Sequence, residues 1–349
     1  MSRGETTLTG TILARIAECC APLAGNSGLV IALNPTAGRL STAEERRKVV
    51  RELECAGPLA PRGYTLLSSH FPGQLRGLLD ALCLEESRHH RGLLVASCGG
   101  DGTHAEVLET AEPWARQGLP VRVIRWPLGT GNDAADSVTI SGLIERLRGE
   151  PVFCPAASVV VRTRLGSERR AYNIASLGVD ALITDLTNRF RKIVPGDIYR
   201  RIADVSVLFY EQLIGAGEME IEYSGPGKGG ELTGRFMLVA VGAGAPRTYG
   251  NQMRVLPDRR NLCAIERGHI GKKVILKRRF YAGRHIRDRK TTMATVRSAT
   301  IRYHRRIPAQ CDGEAFWLRA EDFPVTLSVE ESSVIALERG EGYCPPPWG

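Results

Sequence analysis

The sequence predicts an α/β domain built on a parallel sheet, followed by a second, mainly antiparallel β domain of the sandwich type. Three observations predict it. Residues 93–133 run through an apolar stretch, a glycine-rich turn and a helical stretch, and then begin the same series again. An earlier run, Gly28–Leu33, is apolar throughout, as befits a strand covered on both faces. After Pro151 the pattern changes to alternating apolar strands with helical insertions. The domains divide at 1–150 and 151–318, with 319–349 as closing strands that return to the first domain.

In chain order, residues 1–25 read as a helix with Leu8, Ile12, Leu13 and Ile16 on its apolar face. The first buried strand, Gly28–Leu33, ends in the turn Asn34-Pro35-Thr36-Ala37-Gly38. Ala43–Glu54 is an amphipathic helix, with Thr42 as its N-cap and Gly57-Pro58 as its stop. Tyr64–Ser68 is a short strand, and Gln74–Glu86 a helix carrying Leu75, Leu78, Leu79 and Leu82. Leu93–Ala96 leads into the turn Gly99-Gly100-Asp101-Gly102-Thr103, after which Ala105, Leu108, Ala111 and Ala115 share one helical face. Val121–Ile124 leads into a second turn, Gly129-Thr130-Gly131-Asn132-Asp133, and Ser141–Arg148 is a short helix. In the second domain Val152–Arg164 and Arg169–Leu177 read as a hairpin turning at 165–168. Helices follow at 180–192 and 197–215, then strands at Glu218–Tyr223 and Leu232–Val241. Two short strands, Pro324–Val329 and Val334–Leu337, precede a loose proline-rich end.

The two glycine turns carry the chemistry. Glycines let backbone N–H groups approach an anion, and a helix that starts just after a turn adds its own free N–H groups. Ligands of parallel α/β sheets bind at the carboxyl ends of the strands, where both turns fall. Thr103, Thr130 and Asn132 add side-chain donors. Asp101 and Asp133 would repel bare phosphate, so they read as carboxylates that handle Mg²⁺ or fix the loops. His104, directly after the first turn, reads as a helix-start residue without a catalytic role, and His89 and His90 as surface residues.

Gly99–Thr103 with Glu106, and Pro127-Leu128-Gly129-Thr130-Gly131-Asn132-Asp133-Ala134-Ala135, resemble the diacylglycerol kinase catalytic domain family. That family includes diacylglycerol, sphingosine and ceramide kinases and bacterial lipid kinases, within a wider NAD kinase/diacylglycerol kinase-like group. Asn34–Gly38, Asn173–Ala181 and Cys311-Asp312-Gly313-Glu314 extend the similarity over most of the chain. The resemblance implies a Rossmann-like first domain and a lipid-binding second domain, with the active site in the cleft between them. It implies an ATP-dependent phosphotransferase acting with Mg²⁺ on a lipid hydroxyl, with diacylglycerol as the leading acceptor. ATP falls to Asn34, Thr36, Gly99, Gly100, Asp101, Gly102, Thr103, Glu106, Gly129, Thr130, Gly131, Asn132 and Asp133, and the metal to Asp101 and Asp133. Asp312 becomes the general base on the lipid hydroxyl, with Glu314 beside it. Two departures from the family pattern stand out. Ala37 replaces a serine, and Pro257-Asp258-Arg259-Arg260-Asn261 carries arginines where bacterial members have acids, so a structural Mg²⁺ site is not expected there. An NAD kinase-like or other small-molecule kinase, and a nucleotide-binding protein that has lost catalysis, are the alternatives.

Charge narrows the partners. The net charge is +9, yet residues 267–306 hold fourteen Lys or Arg against one acid, Asp288, so the rest of the chain is net negative. This window reads as a surface for anionic lipid, alongside the lipid substrate itself. Nucleic acid is not expected, because no aromatic interleaving or nucleic-acid motif accompanies the charge. The nine cysteines are scattered without a Cys-x-x-Cys pair, which argues against zinc or a disulfide framework. No run is long enough to span a bilayer, and the early stretch broken by Arg15 and Glu18 is no signal peptide. A cytoplasmic protein, peripherally associated with membrane and able to form a homodimer, is the expectation.

Overall fold

A computed structural model describes residues 3–54, 63–71, 73–89, 91–190, 217–227, 229–249, 253–268, 279–280 and 282–338. The expected helix at 197–215, the Gly57-Pro58 stop, His90 and the proline-rich end lie outside these residues. The chain divides into two compact units, residues 1–156 with 331–341, and residues 157–330 with 342–349.

The first unit alternates helix and strand: α1 (Arg3–Ala24), β1 (Gly28–Leu33), α2 (Ala43–Glu54), β2 (Thr65–Ser68), α3 (Gln74–Arg88), β3 (Leu93–Gly99), α4 (Asp101–Arg116), β4 (Val121–Pro127) and α5 (Ile140–Arg148). The strands are parallel in the order β2-β1-β3-β4. The chain leaves β1 to build β2 on one side and then β3 and β4 on the other. The switch point therefore lies between β1 and β3, and its crevice opens at their carboxyl ends. One face of the sheet packs Ile31, Leu94, Ala96 and Trp126 against Ile12 and Ile16 of α1, Val49 and Leu53 of α2, and Ile140 and Ile144 of α5. Burial of each isoleucine, leucine or valine among them contributes about 1.5–3 kcal/mol. On the opposite face α3 packs on α4. There the buried His104 imidazole meets Ser97 Oγ at 2.8 Å, which makes His104 an interior link between α4 and β3.

The second unit contains the rest of β5 (Phe153–Arg162), then β6 (Glu168–Ala171), β7 (Ile174–Gly178), α6 (Val179–Phe190), β8 (Met219–Ser224), β9 (Gly230–Gly234), β10 (Phe236–Gly242), β11 (Arg247–Tyr249), β12 (Met253–Leu256), β13 (Leu262–Glu266), β14 (Thr291–Ala294), β15 (Ser298–Tyr303), β16 (Ile307–Cys311), β17 (Glu314–Leu318) and the start of β18 (Val325–Leu337). A six-stranded antiparallel sheet runs β14-β13-β10-β7-β16-β17. A second layer runs β18-β15-β8-β9, with β5 paired to β18 and β6. Leu177, Val239, Val241 and Ala309 of the first meet Ile221, Ile301, Val325 and Leu327 of the second in one core. The far face of the six-stranded sheet is covered by α6 and β12 through Leu182, Ile183, Val255 and Leu256.

Two strands expected to be continuous are divided. Residues 169–177 break at Tyr172-Asn173 into β6 and β7, and residues 232–241 break at Arg235 into β9 and β10. In each case the chain steps from one sheet to the other. Apolar alternation continues across such a step, so the pattern does not mark it. The reverse occurs near the end, where two expected strands form the single β18. Its polar stretch stays extended because the buried Glu112 carboxylate accepts from Ser332 Oγ and from the Ser333 N–H at 2.9 Å.

Candidate active site

Strand register brings three turns of the first unit to one sheet edge. Leu33 stands opposite Cys98, and Gly99 opposite Pro127, so the turns after β1, β3 and β4 leave at the same level. Asn34 folds its own turn, its Oδ1 accepting from the Thr36 N–H at 3.0 Å and the Thr36 hydroxyl at 2.8 Å. Its Nδ2 reaches Thr103 Oγ1 at 3.4 Å, across the switch point. The Arg39 N–H donates to the Leu128 carbonyl at 3.0 Å, tying the first turn to the third. At two positions this approach demands glycine. A Cβ on Gly38 would stand 2.5 Å from Thr130 Oγ1, and one on Gly129 would collide with the Gly100 Cα.

The aspartates and asparagine lock these turns together. Asp101 opens α4 after the extended N-cap Gly100, where its charge complements the helix dipole. Its Oδ1 accepts from the Ala134 N–H at 2.7 Å, while Oδ2 has no hydrogen-bond partner among the described residues. Asn132 adopts positive φ (59°), and its Oδ1 accepts from the Gly129 N–H at 2.8 Å. Thr130 and Gly131 are exposed, and Asp133 is half-buried. Glu106 has a different employment. Its Oε1 accepts from the Arg76 backbone N–H at 2.8 Å, capping the first turn of α3.

In the second unit Asp312 and Gly313 form a two-residue hairpin turn between β16 and β17. Both have positive φ (48° and 90°), the mark of the type I′ turn that Asp-Gly favours. The Asp312 carboxylate accepts three backbone N–H groups: Tyr172 at 2.5 Å, Asn173 at 3.0 Å and Ile174 at 2.8 Å. These are the amides left unpaired where the chain steps from β6 to β7, so Asp312 closes that break. Burial pushes its carboxyl up to about 6, against the downward pull of the three amides and of Arg247. Gly313 is held from both sides, its N–H donating to Gln310 Oε1 at 2.8 Å and its carbonyl accepting from Asn188 Nδ2 at 3.1 Å. Gln310 Nε2 in turn donates to Ser176 Oγ at 2.8 Å, and that hydroxyl bonds the Asp180 carboxylate. Glu314 starts β17 and is exposed.

Residues 28–152 match the family model described as the diacylglycerol kinase catalytic domain. That stretch carries the family's pattern. Among solved structures, a diacylglycerol kinase from Bacillus anthracis str. Sterne aligns with a TM-score of 0.50 and 16% identity, over 90% of this chain and 97% of that one. A second structure from the same strain, described provisionally as a diacylglycerol kinase, gives 0.52 and 16% over the same shares. At this identity the likeness is one of fold, and it extends the shared architecture through both units. No curated protein matches the sequence.

A kinase-family domain implies a nucleotide and, as a rule, a divalent metal, and the first unit fits both. Gly38, Gly100 and Gly129 let the turns pack against one another without side chains, and α4 begins at that edge, where its first N–H groups have no partner within the helix. Among the described residues no three His, Cys, Asp or Glu side chains gather into a metal site. Mg²⁺ commonly binds through one or two carboxylates together with substrate phosphates, and Asp101 Oδ2 is suited to be one of them. The altered loop at 257–261 binds itself instead: Asp258 pairs with Arg260, and the Arg260 N–H donates to the same carboxylate at 2.9 Å.

Sequence reasoning missed the residues that support Asp312. Ser176 and Asp180 lie inside the Asn173–Ala181 stretch that carries the resemblance, which was the available signal. Gln310 announced itself only by standing two residues before Asp312. Arg247 is buried beside this group, with Nε donating to the Asn173 carbonyl at 3.3 Å.

Proposed function

We propose that this protein transfers the γ-phosphoryl group of ATP to the hydroxyl of a membrane lipid, with diacylglycerol as the leading acceptor and phosphatidic acid as its product. One observation carries the reading: the turns after β1, β3 and β4 converge on one sheet edge, packed so closely that glycine is required at 38 and 129. Such an edge, with α4 starting beside it, presents backbone N–H groups to a polyphosphate. In the transfer the bond from the γ-phosphorus to the bridging oxygen breaks, ADP leaves, and the lipid oxygen takes its place on phosphorus. The proton of that hydroxyl goes to a base. Asp312 is suited to the role, since a carboxyl near 6 is ionised at neutral pH yet basic enough to accept. Mg²⁺, bound with the nucleotide, would neutralise charge on the phosphate oxygens. Asp101 and Asp133 would hold it, and the hydroxyls of Thr36, Thr103 and Thr130 would orient the phosphates. No helix among the described residues is long and apolar enough to cross a membrane, so we place the reaction at the membrane surface.

The test is transfer from γ-labelled ATP to mixed vesicles containing diacylglycerol, monoacylglycerol, sphingosine, ceramide and undecaprenol. A labelled lipid, made by the natural protein and not by Asp101→Ala, is the expected result, and its identity fixes the acceptor. Label appearing only on NAD or a sugar phosphate would replace the lipid reading with the small-molecule one. ATP binding without label on any acceptor would favour a protein that has lost catalysis.

A further inference from the structure

The described residues of the basic window divide between two sheets. Within it, residues 279–290 precede β14 of the six-stranded sheet, whereas 297–306 runs through β15 of the opposite layer. The first part is sewn onto β12 and the loop after it. His285 Nε2 meets the Val255 carbonyl at 3.1 Å, and Phe280 stacks on the His285 ring at 4.1 Å. At Gly283, which has positive φ, the space for a Cβ is bounded by Pro257 and, at 3.5 Å, by the Arg254 stem. Residues 253–260 and 279–290 thus form one seam, bearing seven arginines and Lys290 against two aspartates.

Both aspartates are already engaged. Asp258 pairs with Arg260, and Asp288 with Arg279 at 2.7 Å. Lys290 Nζ donates to the Arg267 carbonyl at 2.7 Å. That leaves Arg254, Arg259, Arg284, Arg287 and Arg289, all exposed and none paired with a carboxylate among the described residues. Several other arginines of this unit are matched. Arg162, Arg189 and Arg302 are matched by Glu330, Asp185 and Glu222, while Arg169 and Arg306 lie over the rings of Phe316 and Trp317. Five unmatched guanidinium groups on one seam repel one another unless an external anion neutralises them.

We propose that this arginine seam docks the protein on an anionic lipid surface through headgroup phosphates. The choice of lipid over other polyanions rests on the lipid-acceptor reading above and on one local fact. Phe280 is consumed by its stack on His285, so no ring among the described residues of the seam is left as a platform for nucleic-acid bases. Arginine recognises phosphate through its planar fork and keeps its charge at any physiological pH. Each basic residue at an anionic leaflet contributes about a five-fold gain in partitioning.

The test is flotation with phosphatidylcholine vesicles, with or without about 30 mol % phosphatidylglycerol, in the absence of nucleotide. The natural protein should float with the anionic vesicles only, and release as salt rises from about 0.1 to 0.5 M. The triple variant Arg254→Gln/Arg284→Gln/Arg287→Gln should lose about 100-fold in affinity with its Tm unchanged, and the matching triple lysine variant should keep most of the binding. Arg302→Gln, on the opposite layer, should float as the natural protein does. Equal flotation by the triple glutamine variant, salt-independent flotation, or tighter binding to RNA than to the vesicles would each overturn the proposal. Because binding is read without ATP, loss of the docking surface and failure of the kinase reading give separate results.

Discussion

Two Asp-Gly turns, one in each unit, use the same pair of residues in opposite ways. Asp101-Gly102 opens a helix after a parallel strand, and Asp101 spends a single oxygen on one amide. Asp312-Gly313 tips an antiparallel hairpin, and both Asp312 oxygens are engaged by the amides of 172–174. On the proposed reading, the first turn offers an oxygen and a helix N-terminus to a phosphate and its cation. The second keeps its carboxylate fixed in place and raises its affinity for a proton. A carboxylate thus suits a ligand's role where an oxygen is left open, and a proton acceptor's where burial outweighs the pull of its N–H donors.

The largest effect is expected at Asp101. Asp101→Ala should lower phosphoryl transfer on the order of 100-fold or more, the size of one electrostatic group directed at transition-state charge. The fold should survive, since one hydrogen bond contributes only about 1 kcal/mol. Full activity in this variant, measured with labelled ATP, would erase the distinction between the two turns.

Asp312→Asn comes next, and it separates proton acceptance from clamping. The new NH₂ group faces backbone N–H donors, so at least one amide of 172–174 loses its acceptor. That costs about 1–3 kcal/mol of stability. Thermal unfolding, ATP affinity and turnover should be measured together. A folded variant that binds ATP normally and turns over at least tenfold more slowly is the expected result. Unfolding at assay temperature would make the residue a structural clamp first.

The pH dependence sharpens the same contrast. With its folded pKa raised from 3.8 to about 6, Asp312 binds more protons folded than unfolded between those values. Its contribution to stability therefore falls as pH rises through that window. Transfer runs the other way and should decline below about pH 6 as the carboxylate is lost. Arg247→Met removes the buried cation that holds the carboxyl down, so this acid limb should move to higher pH. A limb that stays in place in that variant, read from kcat against pH, would separate Asp312 from the proton transfer.

How much of this was legible in the sequence follows from range. The glycine turns at 99–103 and 129–133 could be read because local chain chemistry dictates them, and the apolar runs before them fix the parallel sheet. The Asp-Gly hairpin was equally local. What the carboxylate of Asp312 touches was not, because its partners lie some 140 positions earlier at a step between sheets. Neither was the Asp180–Ser176–Gln310 support, which depends on the register that sets Gln310 beside Ser176. Alternation predicts which face a residue occupies, not which strand stands next to it.

Glu106 carries the smallest expected effect and the finest test of the comparison. The family pattern makes it an orienting group at the nucleotide, while its geometry makes it a cap on α3 through the Arg76 N–H. The two roles respond differently to conservative change. Glu106→Gln keeps a carbonyl oxygen able to accept from that N–H, so a cap predicts nearly unchanged stability and turnover. Glu106→Ala removes the acceptor and should cost about 1 kcal/mol of stability with turnover within about twofold. An orienting role predicts the reverse, a loss of turnover in both variants with little change in thermal unfolding. Two residues on the same helix, Asp101 at its first position and Glu106 one turn and a half later, would then differ as sharply as the two Asp-Gly turns do: one reaching toward the phosphate edge, the other toward the neighbouring helix that supports it.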